Sequence, residues 1–137
     1  MRTIIIDDEK KGREILEKLI LQHCPDLEVI AMAANAEEAY PLILQEQPDV
    51  IFLDIEMPNG DGFHLLELFE EIKFQIIFTT AYDNYAIKAI KHHALDYLLK
   101  PIDIDELKLA VEKLKKAVPV KPTPEKFIDF LTARKYE

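Results

Sequence analysis

Short apolar runs that stop at polar residues constrain this chain more than any other feature. Val50-Ile51-Phe52-Leu53 is apolar on both faces a strand would present, and it ends at Asp54. Such a strand needs cover on both sides, as in a parallel sheet packed between two layers of helices. Thr3 to Ile6 repeats the pattern and ends at Asp7-Asp8. Ile76-Ile77-Phe78 runs into Thr79-Thr80, and Tyr97-Leu98-Leu99 into Lys100-Pro101. Leu27 to Ala33 reads as a further strand.

The intervening segments carry helical spacing. Glu9 to Gln22 places Ile15, Leu16, Leu19 and Ile20 on one predicted face before Pro25-Asp26 breaks the chain. Asn35 is a good N-cap for a helix over Ala36 to Gln45, with Glu37 and Glu38 near its positive end. Pro41 falls inside that helix, where its ring removes one backbone hydrogen bond. After a Pro-, Asn- and Gly-rich loop from Met57 to Gly62, a helix is predicted over Phe63 to Ile72, with Leu65, Leu66, Leu68 and Phe69 as its apolar positions. Asn84 opens another through Tyr85, Ile87 and Ile90, and Asp103 caps the last, where Leu107, Val111 and Leu114 form a stripe. The alternation predicts an α/β fold of about five β-α units, wound with right-handed crossovers so that helices cover both faces of a parallel sheet.

The chain has 137 residues, one domain's worth, and 49% of them are hydrophobic, which excludes compositional disorder. Its formal net charge is -9, so its surface repels phosphate backbones and is a poor nucleic-acid binder by itself. No apolar run is long enough to span a bilayer, and Ile4-Ile5-Ile6 leads straight into acids rather than forming a signal peptide. The expected location is the cytoplasm. Cys24, the single cysteine, cannot form an internal disulfide and reads as a partly buried small apolar residue. Beyond residue 118 the composition changes. Pro119, Pro122 and Pro124 alternate with Lys121 and Thr123, which predicts a linker over 119–137 after a domain over 1–118. Phe127, Ile128, Phe130 and Leu131 within it suggest the start of something further.

Ligands of open α/β sheets bind beyond the carboxyl ends of the strands. Asp7 and Asp8, Asp54, Thr80 and Lys100 all fall at such ends. Taken singly, each has a bland explanation: a cap, a β-former, a solvated lysine. Taken jointly, they predict one crevice in which three carboxylates repel unless a cation or Lys100 compensates. Oxygen ligands without His or Cys favour a hard ion, Mg²⁺. A carboxylate beside Mg²⁺ and Lys is suited to attack a phosphoryl group, with Thr80 placed to hydrogen-bond a transferred oxygen. The four histidines do not cluster: His92 and His93 are adjacent and point apart, while His23 and His64 belong to other segments. No G-x-G-x-x-G or Walker pattern occurs.

These stretches resemble the receiver domain of two-component response regulators. The matching segments are Ile4-Ile5-Ile6-Asp7-Asp8-Glu9, Asp49 through Pro58 with Gly60-Asp61-Gly62, Thr80-Ala81, and Asp96 through Pro101. The resemblance implies a flavodoxin-like (βα)5 fold with strand order 2-1-3-4-5. It implies Asp54 as phosphoacceptor, Lys100 as the partner of the phosphoryl group, and Thr80 with Tyr97 as the switch pair. Mg²⁺ would be held by Asp8, Asp54 and the backbone carbonyl of Glu56, with Asp7 acting mainly through water. A cis peptide before Pro101 is implied too. The implied partners are a sensor histidine kinase and a second copy of the chain, docked through the fourth helix, fifth strand and last helix. The stretches Ala81 to Ala89 and Ala94 to Ile102 are similar to receivers that precede a LytTR-type DNA-binding domain. DNA would then be bound only through a domain outside this chain.

Two other readings remain open on the residues. A stand-alone receiver would act on a protein partner. An aspartyl-phosphate hydrolase would use the same metal and nucleophile, but such enzymes place a second Asp two residues after the first, where this chain has Glu56.

Overall fold

The computed structural model describes residues 1–58, 62–83 and 94–117. Five strands form one parallel sheet: β1 (Arg2–Ile6), β2 (Glu28–Ala33), β3 (Val50–Asp54), β4 (Gln75–Thr80) and β5 (Asp96–Leu99). Their order is β2-β1-β3-β4-β5, as the flavodoxin-like expectation requires. The two buried β-branched runs sit at its centre: Ile4 pairs with Ile51 and Ile5 with Phe52. Every residue of β3 is buried, which is why that run has no polar face.

Period-2 alternation splits the core in two. Ile4, Ile6, Ile51, Leu53 and Phe78 face α2 (Ala36–Glu46) and α3 (Gly62–Glu67). Ile5, Phe52, Ile77 and Leu98 face α1 (Lys10–His23) and the final helix (Ile104–Lys116). Local chemistry sets the helix ends. Asn35 accepts a hydrogen bond from the Glu38 N–H, and Asp103 from that of Glu106. Asn35 and Ala36 hold α2 to its predicted start despite Pro41 inside it; α2 closes at Gln47, which takes the left-handed conformation with φ 49°. Cys24 is fully enclosed in the second core layer, more deeply than expected.

Three expectations are corrected. The third helix ends at Glu67 rather than Ile72. Leu68 and Phe69 bond back to Leu65 and Leu66 in a tightened turn, and the chain then leaves the helical path. That departure lets Ile72 and Phe74 enter the core and brings Phe69 against Tyr40 and Phe74. Leu68 and Ile15, expected on apolar stripes, are instead exposed at 42% and 58%. The helix predicted from Asn84 and the segment 119–137 lie outside the described residues. Among the described residues, no helix is long and apolar enough to cross a membrane.

Candidate acid–lysine site

The parallel sheet delivers its polar residues to one edge. Asp7 follows β1, Asp54 ends β3, Thr80 ends β4 and Lys100 follows β5. Lys100 Nζ donates to Asp7 Oδ2 at 2.8 Å and to Asp54 Oδ2 at 3.1 Å, joining residues 93 and 46 positions apart in sequence. Asp7 and Asp54 are almost wholly buried, at 4% and 3% exposure. Asp8 adds a third carboxylate: one oxygen from each of the three acids lies within 4.8 Å of the others. This donor set suits a hard divalent ion such as Mg²⁺, which takes oxygen ligands and keeps several waters.

The remaining lone pairs are directed by backbone. Asp7 Oδ1 accepts from the Glu9 N–H and Asp54 Oδ1 from the Glu56 N–H. The latter bond ties the loop carrying the Glu56 carbonyl to the Asp54 carboxylate. Burial pushes the Asp54 pKa up to about 7; the Lys100 charge and hydrogen bond oppose the rise, and Asp7 adds to it. Burial disfavours the Lys100 ammonium, but hydrogen bonds and charge from Asp7 and Asp54 outweigh that and hold its pKa above the ordinary lysine value.

Thr80 is buried, and its Oγ1 accepts from the Tyr82 N–H at 3.1 Å while its carbonyl accepts from the Lys100 N–H at 2.7 Å. Tyr97 pairs in register with Phe78 and packs, half-buried, against the first core layer. The structure thus brings Asp7, Asp8, Asp54 and Lys100 into one cluster, with Thr80 at the adjacent strand end and Tyr97 one strand further on. The Lys100-Pro101 bond is cis, as the motif implied.

Sequence reasoning missed two residues of α1. Arg13 donates to the Asp7 carbonyl at 2.7 Å, and Gly12 packs directly on the Asp7 carboxylate. Gly12 carried a signal, because a glycine in a helical segment is costly without a reason.

Fold and site together define a flavodoxin-like domain that collects three acids and one lysine at the carboxyl edge of its sheet. The chain belongs to the response regulator receiver domain family, whose model matches residues 3–112. An uncharacterized response regulatory protein of Yersinia pestis is 45% identical over 130 residues, covering 93% of this chain and 54% of that protein. The transcriptional regulatory protein BtsR of Escherichia coli is 40% identical over 116 residues, covering 84% of this chain and 48% of that one. The chain thus spans about half the length of the curated relatives it matches. Among solved structures, the response regulatory domain of mrkE from Klebsiella pneumoniae matches with a TM-score of 0.72 at 30% identity, covering 85% of this chain and 97% of that one. Receiver domains are signalling modules of two-component systems: they are controlled by phosphorylation, bind Mg²⁺ through acidic residues and interact with histidine kinases.

Proposed function

We propose that Asp54 accepts a phosphoryl group from a sensor histidine kinase and that the modified domain switches a transcriptional output. One observation carries the assignment: Lys100 is held between Asp7 and Asp54, with Asp8 completing the carboxylate group. No packing requirement calls for two buried carboxylates at one ammonium, and burying them has a desolvation cost.

Asp8, Asp54 and the Glu56 carbonyl would hold Mg²⁺, with Asp7 acting through water. When bound, the ion neutralises charge on the transferred oxygens. The rest is done by the chain. The Glu56 N–H keeps Asp54 oriented for in-line attack. The phosphorus–nitrogen bond of the donor breaks as the Asp54 oxygen–phosphorus bond forms. Lys100, already at Asp54, pairs with the incoming oxygens. Thr80 then exchanges its bond from the Tyr82 N–H for one to the phosphoryl group, and Tyr97 turns inward. That rearrangement biases two pre-existing states of the surface around β5 and the final helix, where a second copy docks. The domain occupies residues 1–118, and 119–137 form the connection to a LytTR-type DNA-binding domain. The protein acts in the cytoplasm.

Incubation of the chain with Mg²⁺ and a small phosphodonor adds one phosphate, and Asp54→Asn abolishes the addition. Intact-mass measurement reads both. Equal labelling of the variant removes Asp54 from the role.

A further inference from the structure

Gly12 is the third residue of α1 and lies in ordinary helical backbone, so the conformational freedom of glycine is not what the position uses. What it uses is space. A Cβ added there would lie 2.7 Å from Asp7 Oδ2, 3.2 Å from Asp7 Cγ and 3.4 Å from Asp7 Oδ1. All three of its nearest neighbours are thus atoms of one carboxyl group. Such an overlap is normally relieved by swinging the side chain aside. Here the carboxylate is pinned: Oδ2 accepts from Lys100 Nζ at 2.8 Å, Oδ1 accepts from the Glu9 N–H at 2.9 Å, and the Asp7 carbonyl accepts from Arg13 at 2.7 Å. With Asp7 only 4% exposed, relief of the clash has to break one of these bonds or shift α1.

We infer that Gly12 is a positioning residue for the acceptor site: the side chain it lacks is the space in which Asp7 keeps its grip on Lys100. This inference rests on the proposed role of the acid–lysine cluster. It makes the first turn of α1 part of the site's geometry without contact to metal or phosphate. Alanine is the better helix former, so a purely structural role for this position predicts that Gly12→Ala leaves the site intact and firms α1. Positioning predicts the reverse for the site.

The test is a double-mutant cycle read by Mg²⁺ titration and by thermal unfolding. Gly12→Ala weakens Mg²⁺ binding on the order of tenfold, the usual scale for disturbing a residue that orients a ligand. Asp7→Ala removes the carboxyl group and makes room for the new methyl. In that background Gly12→Ala causes no further loss of Mg²⁺ affinity and raises the unfolding temperature. Wild-type affinity in the Gly12→Ala single variant overturns the inference, and so does an equal loss in both backgrounds. If the unsubstituted chain itself neither binds Mg²⁺ nor accepts phosphate on Asp54, the underlying reading of the site fails, and the inference falls with it.

Discussion

The carboxyl group of Asp54 loses its water on folding and gains one ammonium and one backbone N–H in exchange. The exchange is incomplete, because Asp7 competes for the same Lys100 and repels Asp54. The folded chain therefore retains the Asp54 proton up to about pH 7, where an unfolded aspartate loses it near 3.8. Between those values the folded state binds more protons than the unfolded one, so this group lowers stability as pH rises, and the full cost is present above about pH 7. Lys100 contributes no slope there: its raised pKa acts only near and above 10.5. Asp54→Asn removes the titrating group. The variant is expected to match the parent near pH 4 and to exceed it by on the order of 2 kcal/mol at pH 8, less than the full shift because water reaches Lys100. Urea denaturation across that range checks it. A stability gain that does not grow with pH would contradict the assigned cause.

At the scale of elements, stability is set by ends as much as by faces. Asn35 and Asp103 each satisfy a backbone N–H that the helix itself cannot, and each has two acids in the turn that follows. Asn35→Ala and Asp103→Ala are each expected to cost about 1 kcal/mol in chemical denaturation, with Mg²⁺ affinity unchanged. A loss of affinity on removing either cap would show that the helix ends reach the site. These caps were legible in the sequence because capping is a local matter between residues three apart. The central strands were legible for a similar reason: a run without polar side chains has few places to go. The end of α3 was not legible. Leu65 to Ile72 continues to look helical, and only tertiary packing of Phe69 on Tyr40 and Phe74 shows why the chain leaves the helix. Ile15 misled in the same way: its spacing fits the stripe, but Leu16 and Ile20 take the buried positions of α1 and Ile15 stays exposed. The site divides likewise. Asp7, Asp54, Thr80 and Lys100 could be read from strand ends, because a parallel sheet delivers such ends to one edge. The sharing of Lys100 between two acids, and the roles of Gly12 and Arg13, depend on how closely α1 approaches β1, which no periodicity encodes.

For the whole molecule, the proposed metal site makes folding and Mg²⁺ binding two readings of one equilibrium. Strand ends 46 and 93 positions from Lys100 meet only when the sheet has formed, so the unfolded chain has no comparable site. On the proposed reading Mg²⁺ is therefore expected to stabilise the fold by mass action, by about 2.7 kcal/mol at a hundred times its dissociation constant. The net charge of -9 adds a general attraction for cations, but that part is screened by salt and is not specific to Mg²⁺. The pH dependence separates the two. With Asp54 as a proposed ligand, metal and proton are expected to compete for it, so that below about pH 7 apparent affinity rises with pH, approaching tenfold per unit, and above it the dependence levels off. At pH 7 binding releases about half a proton from this group, and calorimetry in buffers of different ionisation enthalpy reads that release. Thermal shifts at fixed Mg²⁺ should grow from pH 5.5 to 7.5 in the parent chain and stay flat in Asp54→Asn. A rise in unfolding temperature that is the same at every pH, or that NaCl of equal ionic strength reproduces, would mean the ion binds the acidic surface in general and not the cluster at the sheet edge.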